Sequence, residues 1–284
     1  MNQKTISERA FEVYLADRGI TKYKYEEDLS HIGITKPVDY SFEIGGKTAR
    51  FEVKEWEPQN PQPGFSGFDP YSPIRDKIDG AREKFQQYKK RNEPCILVLC
   101  HYGSQPILLG PAIIYAAMRG DFGWRVPVNI KTGACGEPEE DFLKGGKMWD
   151  GQSRAWNTTI SAIAVIKSID PNKHRRNIKF RSDTLAHEKE IGRELSSLDK
   201  DDFDVLYKLS VNSHNKFPVQ CILRLLICDN VDASINLPAE FPSGPYDERY
   251  GLDGDWLRRI YIGPELLKIE QEKKNAGIEE NLFF

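Results

Sequence analysis

The chain has 284 residues, with 40 Lys+Arg against 43 Asp+Glu (formal net charge -3) and 39% hydrophobic residues. That length suits one large or two small domains, the apolar share excludes a chain disordered by composition, and the balanced charge excludes a globally basic nucleic-acid binder, leaving only a local patch. Five cysteines without a C-x-x-C pair argue against a disulfide scaffold or zinc site and fit a reducing cytoplasm; no signal peptide is expected before the charged first helix, and the longest apolar stretch, Pro106 to Met118, is too short to span a bilayer.

Residues 5–19 read as a helix, with Ile6, Ala10, Val13 and Tyr14 on one side. Thr5 and Glu8 fit a capping box and Gly19 a C-terminal cap. Tyr23 to Ile34 is a polar connection with a short strand near Tyr25, and His31 within it reads as a surface residue. Asp39-Tyr40-Ser41-Phe42-Glu43-Ile44 and Lys47-Thr48-Ala49-Arg50-Phe51-Glu52-Val53-Lys54 flank Gly45-Gly46, the signature of a two-residue hairpin, because both glycines accept positive φ. That turn sets Ile44 opposite Lys47 and Asp39 opposite Glu52. Alternation then puts Asp39, Glu52 and Lys54 on one face and Phe51 and Val53 on the other. Two directly opposed carboxylates repel, and a divalent cation between them would remove that cost.

Glu57 to Pro73 holds five prolines and two glycines, which excludes regular structure; its Phe65, Phe68 and Tyr71 could stack on bases or staple the loop down. Ile74 to Arg91 is the clearest helix, with Ile78, Ala81, Phe85 and Tyr88 in one stripe and basic residues on the other faces. Cys95 to Cys100 is a continuous apolar run, the mark of a strand covered on both faces. Pro111 to Gly120 follows as a helix, 121–155 as irregular surface chain, and Asn157 to Lys167 as a second buried strand. Pro171 to Arg181 gathers the main basic cluster, including Arg175 and Arg176, readable as a phosphate-neutralising patch or as a solvated loop. Thr184 to Leu209 is helical in pattern, Val219 to Cys228 is a third apolar run, and Glu265 to Lys274 is a terminal helix.

Pro37-Val38-Asp39, followed by Glu52-Val53-Lys54, resembles the PD-(D/E)XK nuclease superfamily, with Val38 as a departure from the name. The preceding helix with Glu8 and the following helix with Gln86-Gln87 extend the likeness. It implies an α/β restriction-endonuclease-like core, a mixed sheet flanked by helices, over 1–168. Residues 169–284 would form a C-terminal extension, packed on that core or part of the same domain. It further implies an Mg²⁺-dependent phosphodiesterase, most directly a DNA endonuclease, with Mn²⁺ as a substitute ion. Asp39, Glu52 and the Val53 carbonyl would hold the ion, with Glu8 (or Glu12, one turn on) completing the shell and Lys54 orienting the attacking water. Lys77, Lys84 and Gln87 would approach the phosphate backbone, as would Arg175 and Arg176 from their own patch. The expected partner is nucleic acid, DNA before RNA; a homodimer is compatible. The alternative is a nuclease fold without catalysis, acting as a nucleic-acid-binding or assembly module.

Overall fold

The computed structural model describes residues 4–56, 69–101, 109–137, 139–149, 155–197, 199–254 and 256–277, with the backbone alone over 122–125 and 139–144. The elements in order are α1 (Ile6–Asp17), β1 (Lys24–Tyr25), β2 (Tyr40–Ile44), β3 (Lys47–Glu55), α2 (Ser72–Gln86), β4 (Cys95–Cys100), α3 (Pro111–Arg119), β5 (Gly120–Arg125) and β6 (Glu139–Gly145). They continue as β7 (Ile160–Ile169), α4 (Lys173–Ile191), α5 (Lys200–Lys216), β8 (Ile222–Asp229), β9 (Glu248–Asp253), β10 (Trp256–Ile262) and α6 (Pro264–Asn275). Eight strands make one sheet in the order β1-β2-β3-β4-β7-β8-β9-β10, while β5 and β6 pair separately. β2–β3 is antiparallel, and β3–β4 and β4–β7 are parallel, so the protein is α/β with a mixed sheet flanked by helices.

The α1 capping box forms with both arms. Glu8 N–H donates to Thr5 Oγ1 at 3.2 Å, and Thr5 N–H donates to Glu8 Oε2 at 2.6 Å. Gly45 and Gly46 turn the β2–β3 hairpin with φ of 55° and 76°, both in the region that L side chains avoid. The register follows from that turn: Tyr40 pairs with Phe51 and Ile44 with Lys47. β4 is buried throughout because parallel neighbours flank it and helices cover its faces.

The period of two along β3 sorts the two layers of helices. Phe51 stacks on Phe42 at 4.5 Å and meets the Phe11 ring of α1 at 5.4 Å. Four residues on, and so on the same face, Glu55 accepts from the N–H and hydroxyl of Ser7, at 3.1 and 2.7 Å, at the start of α1. The even-numbered residues turn to α2: the Arg50 guanidinium stands 5.0 Å over the Tyr88 ring just beyond that helix, and Lys84 of α2 reaches Glu52. The two helices therefore cover opposite faces of the hairpin. On the α2 face, Ile74, Ile78, Ala81 and Phe85 are fully buried against Leu97 and Leu99 of β4.

Three stretches differ from the sequence expectations. Within 121–155 the chain makes the β5–β6 pair, an antiparallel two-stranded ribbon outside the main sheet. The basic cluster lies on the first turns of α4 rather than on a loop. β9 and β10 extend the sheet, and β10 forms its edge with Trp256 and Ile260 exposed and a register shift between Arg259 and Tyr261. Phe65 and Phe68 lie outside the described residues; Tyr71 sits at the start of α2 beneath the Arg75 guanidinium.

The chain divides into two compact units, Met1–Lys167 with Leu225–Gly263, and Ser168–Arg224 with the segment holding α6. Against an expected boundary at 168–169, residues 225–263 belong with the first unit. The second unit is clasped by its own ion pairs: Arg193 on Asp202, Arg176 on Asp170, and Arg175 with His174 on Glu272.

Phe51→Ala would remove a fully buried ring that three other aromatics contact. The expected loss is about 3–5 kcal/mol of unfolding free energy, measured by urea denaturation.

Candidate metal centre

Asp39 ends the connection from α1 and precedes the first residue of β2, so the hairpin register carries it opposite Glu52. Asp39 Oδ2 accepts the Val53 N–H at 2.7 Å, which pins its carboxylate to the end of β3. Backbone N–H and C=O of one strand residue point to the same side, so the Val53 carbonyl also faces the Asp39 side. Both carboxylates lie on the α2 face, and one ammonium, Lys84 Nζ, touches both: 2.7 Å from Glu52 Oε1 and 3.4 Å from Asp39 Oδ1. Lys54 Nζ is 2.5 Å from Glu52 Oε1. These groups stand at the carboxyl-end half of β3, beside the parallel β4, where Lys54 pairs with Leu99. In open α/β sheets that end is where ligands are received.

Burial sets the electrostatics. The Glu52 side chain is 0% exposed. Burial first, and then the Glu52 charge, push the Asp39 carboxyl up to about 6, against the pull of Lys84 and the Val53 N–H. For Lys84, burial alone would lower the ammonium pKa, but the Glu52 and Asp39 charges outweigh it and the net shift is upward. Glu52 Oε1 is fully buried and within ion-pair range of two ammonium groups, yet neither contact has hydrogen-bond geometry. Its charge is neutralised while its lone pairs lack a directed partner. A carboxylate pair with one such oxygen, beside a backbone carbonyl, is a donor set that suits a hard divalent cation.

The structure brings together Asp39, Glu52, Val53 and Lys54, and adds Lys84. It does not bring in Glu8. Both oxygens of Glu8 are committed, Oε2 to the Thr5 N–H and Oε1 to the Tyr25 hydroxyl at 3.0 Å, and α1 lies on the other face of the hairpin. Glu12 is bound by Lys4 and by the Tyr40 hydroxyl. Among the described residues, no group of three or more His, Cys, Asp or Glu side chains could hold a metal ion.

The expected phosphate contacts are also engaged within the protein. Lys77 Nζ stands 5.9 Å over the Trp56 ring. Gln87 Oε1 accepts from the N–H groups of Thr35, at 2.8 Å, and Lys36, at 3.3 Å, and so fixes the turn that leads into Asp39. Arg175 makes a two-pronged pair with Glu272 at 2.8 and 2.6 Å, and hydrogen bonds from Arg175 and then His174 hold that carboxyl down at about 2. Arg176 is buried against Asp170 and donates to the Phe217 carbonyl at 3.1 Å. The second unit thus uses both arginines as internal clasps, which corrects their reading as an open basic patch. Lys84 beside the acids was the missed feature. The sequence held a signal for it, because Lys84 falls between Ala81 and Phe85 at the i, i+3, i+4, i+7 spacing of the buried stripe that ends at Tyr88.

No family model, no curated protein and no solved structure matches this chain.

Asp39→Asn should stabilise the ion-free protein. A carboxyl raised from 3.8 to about 6 favours the fold while protonated and loses that contribution as pH rises through 6, so a neutral isostere avoids the loss. At pH above about 7 the gain should be roughly 1–3 kcal/mol, shrinking toward zero in acid, as read from denaturation midpoints across pH.

Proposed function

We propose that the chain is a divalent-cation-dependent phosphodiesterase, most directly a DNA endonuclease with a restriction-endonuclease-like core. The observation that carries the reading is the pairing of Asp39 with Glu52, on one face at the end of a glycine-turned hairpin, with Lys54 on the same carboxylate. The succession α1, β2–β3 hairpin, α2 and buried β4 is the order that such a core requires.

Asp39, Glu52 and the Val53 carbonyl would hold Mg²⁺ or Mn²⁺, two hard carboxylates on one face beside a backbone oxygen being the donor set that fits an ion. When bound, the ion supplies a water of lowered pKa and screens charge on the scissile phosphate. Glu52 keeps the Lys54 ammonium at the strand end, and that side chain is 30% exposed, so it can meet a water or a phosphate oxygen arriving from solvent. Gln87 holds the turn that presents Asp39, and the Val53 N–H fixes the angle of its carboxylate. Glu8 serves the fold as a cap and is not assigned to the ion.

A second reading, a nucleic-acid-binding or assembly module without catalysis, is favoured by one observation. Two lysines already neutralise the two acids, and no third acid joins them among the described residues.

The deciding experiment incubates the protein with plasmid, linear duplex, single-stranded DNA and RNA, with Mg²⁺ or Mn²⁺. The expected result is cation-dependent cleavage of DNA, reduced on the order of a hundredfold or more in Asp39→Ala, Glu52→Ala and Lys54→Ala, the size of losing one charge-stabilising group. Absence of cleavage on every substrate, with gel-shift binding that persists under EDTA, would instead establish the second reading. Cation affinity should also weaken by about tenfold per pH unit below about 6, because Asp39 must shed its proton to bind.

A further inference from the structure

Lys84 stands where a cation would. Its Nζ is 2.7 and 2.8 Å from the two Glu52 oxygens and 3.4 Å from Asp39 Oδ1, so a single positive charge bridges both acids. The two acids and two ammonium groups sum to zero (-2 from Asp39 and Glu52, +2 from Lys54 and Lys84). A divalent ion entering beside all four would meet no net attraction and would leave an excess of +2. With Lys84 withdrawn the excess falls to +1, which one phosphodiester, at -1, cancels.

The geometry permits that withdrawal. The Lys84 side chain is 26% exposed while that of Glu52 is 0% exposed, so the lysine has a path to solvent and the acid has none. Lys84 lies in the last turn of α2, on a flexible four-carbon stem, and the helix needs no repacking for the ammonium to swing out.

Building on the nuclease reading, we propose that Lys84 is a resident stand-in for the metal ion. Its ammonium locks the acid pair in the ion-free protein, gives up that place when a divalent cation binds, and then offers its charge to the phosphate backbone of the substrate. Cation and phosphate therefore help each other bind, since each draws Lys84 away from the acids or rewards its departure, and such coupling is reciprocal. By the same exchange, a half-buried lysine paired with carboxylates in the resting protein would become a nucleic-acid contact in the working one.

The test is Mn²⁺ titrated into the full chain by calorimetry at neutral pH, without nucleic acid, for wild type, Lys84→Gln and Lys54→Gln. Lys84→Gln should bind Mn²⁺ about tenfold more tightly than wild type, one competing charge having been removed from a partly buried site. Lys54→Gln should change affinity less, because Lys54 pairs with one acid and Lys84 with two. If wild type binds Mn²⁺ and Lys84→Gln binds no more tightly, the stand-in role is overturned and the nuclease reading survives. If neither protein binds Mn²⁺ and DNA is not cleaved, both fall. Should Lys84→Gln not fold, Mg²⁺ can be titrated into wild type carrying ¹³C-labelled lysine. The Lys84 ε-carbon signal should move toward those of solvent-exposed lysines, and a signal that stays fixed while Mg²⁺ saturates the protein overturns the proposal.

Discussion

Two carboxylates held on one face of a hairpin repel each other, and burial removes the water that would soften the repulsion. In this protein the compensating charge is delivered across layers: Lys54 from the strand itself and Lys84 from the helix that covers it. Much of the first unit serves to keep that arrangement fixed. The Gly45-Gly46 turn sets the register, β4 backs the strand with parallel hydrogen bonds, and Gln87 anchors the approach to Asp39. Truncating one member of a buried ion pair leaves its partner uncompensated, so each of these four side chains is tied to the others energetically as well as chemically.

The same alternation that gathers the acids also separates Glu8 from them. Phe51 and Glu55 face α1, and Glu52 faces α2, so a glutamate on α1 reaches the Tyr25 side of the hairpin and not the side that holds Asp39 and Glu52. Glu8 is consequently spent on its own helix start, where a carboxylate also meets the positive end of the helix dipole. The second unit follows a similar economy of charge. A run of basic residues that looks available in sequence closes on acids brought from elsewhere in that unit, Asp170 and Glu272.

What sequence alone reveals follows from how local the cause is. The α1 capping box, the glycine turn and its register, and the apolar runs of β4, β7 and β8 depend on neighbours a few residues away or on burial on both sides, and each is readable. The partners of Arg175, Arg176 and Lys84 lie 97, 6 and 32 residues distant, and the long-range ones come from chain folding that no periodicity encodes. The β5–β6 ribbon stands apart from the main sheet, and β10 was hidden because its alternation exposes Trp256 and Ile260, which reads as neither a core strand nor a polar one.

That last strand bears on the behaviour of the protein at high concentration. An edge strand with exposed large apolar side chains is a template on which another chain could align, the usual route to aggregation. The register shift between Arg259 and Tyr261 breaks the even spacing of the β9–β10 ladder, which makes its outer strand a poorer template for an incoming copy. The irregularity at this rim thus acts as a guard against sheet growth from molecule to molecule.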